Sequence, residues 1–273
     1  MSFIDLHSHC FPGMDDGVKT EEESLVMLQS AIASEISILY VTPHREPNGK
    51  YNPDNEEVIK ACRRLRRLVN ANGLKIDVRY GEEFRIKTDS IELINNDLVL
   101  GYTGTDYILA EFTRTNAISK LIPQAIEAFH LKGKKVLIAH PERYFDDVNE
   151  GVEMCKTWVE MGCYLQVNRT SLLGVHGVFA EKIANKLIKL GLVHVIASDA
   201  HDAIGIRSCR LDDVYFIVKK KFGQTSADII FHTNPELLIN NLPMVPILRP
   251  KRPLKLFSFF GKPKTKKETI KGE

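Results

Sequence analysis

The stretch Phe3-Ile4-Asp5-Leu6-His7-Ser8-His9 runs a short apolar strand straight into two histidines at i and i+2. On an extended chain that spacing turns both imidazoles to one face, so a metal ion can sit between them at the strand's C-terminal end. The design recurs. Ile36-Ser37-Ile38-Leu39-Tyr40-Val41-Thr42-Pro43 ends at His44, Val78-Arg79-Tyr80-Gly81 at Glu82-Glu83, and Tyr107-Ile108-Leu109-Ala110 at Glu111. Val136-Leu137-Ile138-Ala139 ends at His140, and Val193-His194-Val195-Ile196-Ala197-Ser198 at Asp199-Ala200-His201. With Cys163-Tyr164-Leu165-Gln166-Val167-Asn168 added, seven strand-like runs alternate with stretches of helical periodicity. Strands that finish on ligand-type residues describe a parallel β/α barrel, whose catalytic groups gather at the C-terminal rim. The expected fold is α/β, a closed barrel one strand short of the usual eight.

Two helices are readable from their ends. Thr20-Glu21-Glu22-Glu23 is a capping box ahead of Leu25-Val26-Met27-Leu28, so a helix follows the first loop. A second is expected from Asp54 to Asn72, with Val58, Ala61, Leu65 and Leu68 on its apolar face and Gly73 at its end. The four arginines Arg63, Arg64, Arg66 and Arg67 read as the solvated face of that helix.

At 273 residues and 44% hydrophobic the chain can bury one full core, and no break in composition suggests a second globular domain. A net charge of +2 gives no reason to expect nucleic acid as a partner. No apolar stretch approaches the ~20 residues needed to span a bilayer, and the first strand begins at once, without space for a signal peptide. A cytoplasmic protein is expected. Five cysteines lack the spacing of a disulfide scaffold or zinc knuckle and read as reduced, buried fillers.

Five of the nine histidines, His7, His9, His44, His140 and His201, stand at strand ends beside Asp16, Glu83, Glu111 and Asp199. His130, His176, His194 and His232 do not, and read as ordinary surface or packing residues. Imidazole mixed with carboxylate and no thiolate suits manganese, iron or zinc better than calcium or a structural zinc site. Nine side chains are too many for one ion and suit two or three with a shared carboxylate. With three divalent ions, four carboxylates leave two positive charges uncompensated, which match a phosphate dianion. Arg143, just past His140, and Arg207, after His201, are placed to grip phosphate through paired N–H bonds.

These motifs together resemble one family. His7-x-His9, the loop Pro12-Gly13-Met14-Asp15-Asp16-Gly17, Thr42-Pro43-His44, Gly81-Glu82-Glu83, Glu111-Phe112, His140-Pro141-Glu142-Arg143 and Ser198-Asp199-Ala200-His201 are similar to the polymerase-and-histidinol-phosphatase (PHP) metal-dependent phosphoesterases. More closely, they resemble the protein-tyrosine phosphatases of that superfamily encoded in bacterial capsule and exopolysaccharide gene clusters. The resemblance implies a distorted (β/α)7 TIM-like barrel, the PHP fold, and the chain is read as that barrel over residues 1–248 followed by a basic and aromatic tail, 249–273. It implies three divalent metal ions, usually manganese, with iron or zinc compatible with the same ligands. Transferred by position, His7, His9, Glu111 and Asp199 would hold the first ion, Glu83, Glu111 and His140 the second, and Asp16, His44 and His201 the third. Glu111 would then bridge. Arg143 would bind the substrate phosphate with Arg207 assisting, and the substrate would be a phosphotyrosine-bearing bacterial tyrosine kinase.

Other readings compete at the level of substrate. A histidinol-phosphate type of small-molecule phosphatase would share every ligand and differ at the rim. A catalytically idle PHP binding module would have no use for both arginines. An amidohydrolase would need a lysine bridging its metals, for which no clear candidate exists. Cys163-x5-Arg169 mimics the signature of cysteine-dependent tyrosine phosphatases, yet it has no glycine and alternates like a strand, which separates its ends by roughly 20 Å. In the tail, Lys251, Arg252, Lys255, Lys262, Lys264, Lys266 and Lys267 alternate with Leu256, Phe257, Phe259 and Phe260. That composition fits either a solubilising segment or a peripheral contact with an anionic membrane or a membrane complex.

Overall fold

The computed structural model describes residues 2–113 and 120–247. The basic tail from Arg249 onward lies outside the described residues. The described residues form nine strand segments: β1 (Phe3–Asp5), β2 (Ile36–Val41), β3 (His44–Arg45), β4 (Asp77–Tyr80), β5 (Glu83–Arg85), β6 (Tyr107–Glu111), β7 (Lys135–Ala139), β8 (Tyr164–Asn168) and β9 (Val195–Ala197). All pairings are parallel, in two sheets ordered β1-β2-β4 and β3-β5-β6-β7-β8-β9.

The two sheets are parts of one barrel. Strand pairs β2/β3 and β4/β5 are each a single strand position broken by two residues, at Thr42-Pro43 and at Gly81-Glu82. Pro43 has no N–H for a ladder, so the run expected over 36–43 stops at Val41. Across both breaks the pairing continues through Thr42 N to Ser8 O at 2.8 Å, Gly81 N to Val41 O at 3.1 Å and Glu83 N to Pro43 O at 3.0 Å. The barrel closes where the end of β9 meets the end of β1. There Asp199 N donates to His7 O at 3.0 Å and His9 N to Ala200 O at 2.8 Å, around a parallel bridge between Ser8 and Ala200. Seven strand positions close the ring, which is the distorted barrel expected from the sequence.

Helices surround it: α1 (Glu21–Ala33), α2 (Asn55–Ala71), α3 (Ser90–Asn95), α4 (Leu121–Leu131), α5 (Val148–Glu160), α6 (Arg169–Leu172), α7 (Val178–Leu190), α8 (Asp212–Phe222), α9 (Gln224–Asp228) and α10 (Asn234–Ile239). Helix α2 starts on the capping box of Asp54 with Glu57 and buries Val58, Cys62, Leu65 and Val69, a stripe rotated slightly from the expected one. Thr20 caps α1 by accepting from Glu23 N, but the Glu23 carboxylate takes Lys19 N at 2.5 Å, one residue before the position a capping box uses. Arg63, Arg64, Arg66 and Arg67 are exposed, as a solvated helix face requires.

Inside the ring Ile4, Leu6, Leu109, Leu137, Ala139 and Val195 pack with Tyr40, Tyr102 and Tyr107 into an apolar plug. The Tyr102 hydroxyl donates to Leu6 O at 3.0 Å, satisfying its polar end within that plug. The barrel interior is filled from below, so polar side chains of the strand ends have only the upper rim to occupy.

Candidate metal centre

Each strand contributes at its C-terminal end. His7 and His9 leave β1 with their Nε2 atoms 3.2 Å apart. Glu83 Oε2 lies 3.3 Å from the first and 3.5 Å from the second, and Asp199 Oδ1 lies 3.4 Å from each. An ion held tetrahedrally at about 2.0–2.1 Å spaces its ligand atoms about 3.3–3.4 Å apart. The distances from the two imidazole nitrogens to each carboxylate oxygen fall at or near that spacing. Glu83 Oε2 and Asp199 Oδ1 are buried and lack any hydrogen-bond partner, an arrangement that a cation would satisfy.

Two further groups adjoin the first. His140 Nε2 is 2.7 Å from Glu83 Oε1 and 3.8 Å from Glu111 Oε1. Asp16 Oδ1 is 3.3 Å from His201 Nε2 and 3.4 Å from His44 Nε2. All nine side chains singled out in the sequence therefore converge, in groups able to hold a metal. The resemblance implies Glu111 as the shared ligand, and in this structure two carboxylates stand between the groups. Glu83 reaches the first group with one oxygen and His140 with the other, while Glu111 sits to one side. Strand register is the reason. His44 of β3 pairs with Glu83 of β5, which brings that carboxylate to 2.9 Å from His44 Nδ1, whereas Glu111 pairs with Arg85 and is drawn to its guanidinium at 2.7 Å.

Backbone geometry aims two of these residues. His140 and Asp199, each just past a strand, adopt left-handed conformations with φ of 32° and 49°. Such strain costs on the order of 1–3 kcal/mol per residue and is typical of sites where side-chain direction matters. Gly17 is equally constrained. A Cβ there would lie 2.2 Å from His9 O, so only glycine lets the loop bearing Asp16 fold back over His9.

Without metal, imidazoles and carboxylates face one another within the cluster. Burial lowers the His9 imidazole's proton affinity, but the Asp15 carboxylate 2.6 Å away outweighs it and the pKa rises to about 9. His44 is likewise raised well above its ordinary value, burial being overcome by Glu83 and Asp16. Glu83 and Asp199 would be raised by burial, yet the surrounding imidazoles hold both well below the usual carboxylate range. Hydrogen bonds from His201 and His44 depress Asp16. Metal ligation needs the imidazoles neutral, so ion binding would compete with protons at His9 and His44.

The supporting residues were less visible in the sequence. Asp15 orients His9 through Nδ1 at 2.6 Å and accepts His44 N at 3.0 Å and Gly17 N at 2.9 Å. From Asp15-Asp16 alone nothing distinguishes ligand from support. Gln166 Oε1 faces His7 Nδ1 at 3.0 Å, and Asn168 donates to Asp199 Oδ2 at 2.5 Å. Both lie at alternate positions of β8, the same i, i+2 signal that marks His7 and His9, and could have been found by it. Such outer contacts fix imidazole tautomers, leaving Nε2 free to face an ion.

Arg143 donates to Asp199 Oδ2 at 3.1 Å, and Arg207 lies 3.7 Å from the same oxygen and 2.6 Å from His201 Nδ1. Two guanidinium groups therefore stand over the cluster's mouth, with about 30% of each side chain exposed. His176, read as an ordinary residue, lies beside them. Burial and the nearby Arg143 lower its pKa to about 4, and its Nε2 is 2.9 Å from Thr170 Oγ1. His194 and His232 are packing residues, the first accepting Leu165 N at 3.1 Å and the second stacked on Phe3.

The cysteine alternative fails on geometry and acidity. Cys163 is 2% exposed, and burial pushes its thiol up to about 12. Arg169 begins α6 and is paired with Asp213 at 2.6 Å. All five cysteines are buried and unpaired. Among the described residues, no helix is long and apolar enough to cross a membrane.

Residues 3–240 match the model of a family described as capsular polysaccharide synthesis, CpsB/CapC. The tyrosine-protein phosphatase YwqE of Bacillus subtilis (strain 168) is 30% identical over 258 residues, covering 94% of this chain and 99% of the relative. The tyrosine-protein phosphatase CpsB of Streptococcus pneumoniae is 27% identical over 241 residues, covering 86% and 98%. A chain from the crystal structures of YwqE from Bacillus subtilis and CpsB from Streptococcus pneumoniae, described as unique metal-dependent tyrosine phosphatases, superposes with a TM-score of 0.81 at 28% identity. It covers 89% of this chain and 96% of that one.

Proposed function

Because this chain belongs to the CpsB/CapC family of capsular polysaccharide synthesis proteins, we propose that it is a metal-dependent protein-tyrosine phosphatase. Its substrate in this reading is the phosphotyrosine of a bacterial tyrosine kinase that regulates capsular or exopolysaccharide biosynthesis. Asp199 is the observation that carries it. One oxygen of that buried carboxylate faces His7 and His9, and the other is held by Arg143. Cation ligands and anion-binding guanidinium groups thus meet at a single side chain, as phosphate ester chemistry requires.

We assign three divalent ions, manganese ahead of iron or zinc for this imidazole and carboxylate set. His7, His9, Glu83 and Asp199 would hold the first, Glu83, Glu111 and His140 the second, and Asp16, His44 and His201 the third. When bound, such a cluster supplies an acidified water and positive charge for the phosphoryl oxygens. Arg143 and Arg207 orient the phosphate. His201 Nδ1 also lies 3.0 Å from Asp199 O, so with Nε2 committed to an ion it donates there and frees Arg207 to turn outward. A tyrosine phenol, with pKa about 10, leaves far more readily than a serine alkoxide, which gives the site a chemical basis for its preference.

The chain divides in this reading into a catalytic barrel, 1–248, and a tail, 249–273, whose basic and aromatic residues contact the membrane-associated kinase complex or an anionic bilayer. A cytoplasmic location goes with a kinase substrate phosphorylated from ATP. Metal analysis combined with assays on phosphotyrosine, phosphoserine and histidinol phosphate tests the reading. Manganese-dependent turnover favouring phosphotyrosine and abolished by chelator is expected. Preference for histidinol phosphate would replace it with small-molecule hydrolysis, and a fully metallated but inert protein would leave a binding module.

A further inference from the structure

A cleft of about 600 Å³ opens sideways from the metal centre, and nothing in the phosphate chemistry uses it. Asp16 and His201, from the third ion position, form its inner end. Its walls are the first turns of α1, bringing Glu22 and Val26, and the loop after β9, bringing Asp202 and Ile204. Ile204 is 80% exposed, unusual for a branched apolar side chain beside an active site.

That exposure does not come from a loose loop. Arg207 O accepts from both His201 N at 3.0 Å and Asp202 N at 3.3 Å, and Ser208 N donates to Gly205 O. Arg169 Nη1, itself locked to Asp213, donates to Ile206 O at 2.7 Å. The loop is pinned at both ends, and Ile204 stands as a ridge, with a second hollow of about 460 Å³ on its far side. The charge of the cleft is acidic. Glu22 and Asp202 are exposed carboxylates, whereas the one lysine of the lining, Lys19, points its ammonium at Asp15 O 2.8 Å away.

We propose that this cleft is the subsite for the polypeptide flanking the phosphotyrosine, seating an apolar residue against Ile204 and Val26 and a lysine or arginine against Glu22 and Asp202. The occupant follows from continuity. Asp16 and His201 belong both to the cleft and to the centre that acts on phosphate, so chain leaving a bound phosphotyrosine on that side enters it. The subsite rests on the phosphatase reading and deepens it from the phosphate to the sequence around it.

The test compares free phosphotyrosine with two phosphotyrosyl nonapeptides, one flanked by leucine and lysine and one by glutamate, using the full manganese-loaded chain. Burying an isoleucine side chain is worth about tenfold or more in affinity. Ile204→Ser should therefore raise KM for the Leu/Lys peptide about tenfold with kcat little changed, and leave free phosphotyrosine turnover within twofold of wild type. Glu22→Lys should narrow or invert the preference between the two peptides. Wild type that treats both peptides and the free amino acid alike, or an Ile204→Ser variant that slows all three equally, overturns the subsite while leaving the phosphatase standing. Wild type inert on all three, with its metals bound, overturns both.

Discussion

Replacing Glu83 by Gln separates two assignments of the bridging ligand. The carboxylate offers Oε2 to the group of His7, His9 and Asp199 and Oε1 to His140 at 2.7 Å. A glutamine keeps one acceptor oxygen, so at least one ion position meets an N–H donor instead, and both lose a shared negative charge. Removing an outer partner of a metal ligand already costs 10–100-fold in affinity. Loss of the charged ligand itself should exceed about 100-fold at each of two positions, or roughly 2.8 kcal/mol per ion at 1.4 kcal/mol per decade. Elemental analysis after gel filtration should find about one ion per chain remaining, that held by Asp16, His44 and His201, and phosphotyrosine turnover should fall at least about 1,000-fold. Glu111→Gln is the control. Its carboxylate lies 3.8 Å from both His140 Nε2 and His44 Nδ1 and is paired with Arg85, so that variant should lose about one ion. A Glu83→Gln protein that retains three ions, beside a Glu111→Gln protein that loses two, would refute the reasoning and restore the bridge to Glu111.

Three other outcomes follow from the same geometry. Arg143→Ala should keep metal content and thermal stability but lose about 100-fold in kcat/KM, with Arg143→Lys recovering part and inorganic phosphate inhibiting both less; unchanged phosphate inhibition would move the anchor to Arg207. Cys163→Ser should remain active while a chelator abolishes turnover, since the Cys163 thiol is buried and pushed up to about 12; an inactive, folded, metallated variant would revive the thiolate. Burial holds His194 at about 4 in the folded chain against about 6.5 unfolded, so the unfolded state takes up more protons between those values. Its stabilisation is present above about pH 6.5 and shrinks as pH falls, by about 2 kcal/mol at pH 5; denaturant titrations at pH 7 and 5 should show this part of the loss vanish in His194→Asn, and identical pH dependence would exclude it.

The strand ends were legible because a barrel imposes one rule on all of them. His7, His44, Glu83, Glu111, His140 and Asp199 each follow an apolar run, and parallel strands deliver such residues to one rim. What the sequence could not display is register. Whether Glu83 or Glu111 is shared depends on which neighbour each pairs with across the sheet, His44 for one and Arg85 for the other. Strand lengths suffered similarly. Ser198 N turns to the buried Asp5 carboxylate at 3.0 Å, so the run expected over 193–198 contracts to Val195–Ala197. Asp15 was hidden by its neighbour, since either carboxylate of the pair could be read as the ligand until the loop's course over His9 was known.

The closure of the barrel and the candidate metal centre are the same place. Between β1 and β9 the described pairing consists of His9 N to Ala200 O and Asp199 N to His7 O, with one bridge at Ser8. The side chains flanking those bonds are His7 and His9 on one side and Asp199 and His201 on the other. An ion seated among His7, His9 and Asp199 would join the first strand position to the last across a seam that holds few described backbone bonds. The short ladder is consistent with that role, because β1 and β9 are three residues each and their ends are given over to ligands instead of to further pairing. Buried beneath, the Asp5 carboxyl accepts from Ser198 N and from Cys209, fastening the same seam from the apolar side, and burial raises its pKa. Polar residues that look expensive in a barrel wall thus fasten the closure below, while those above face the candidate metal centre.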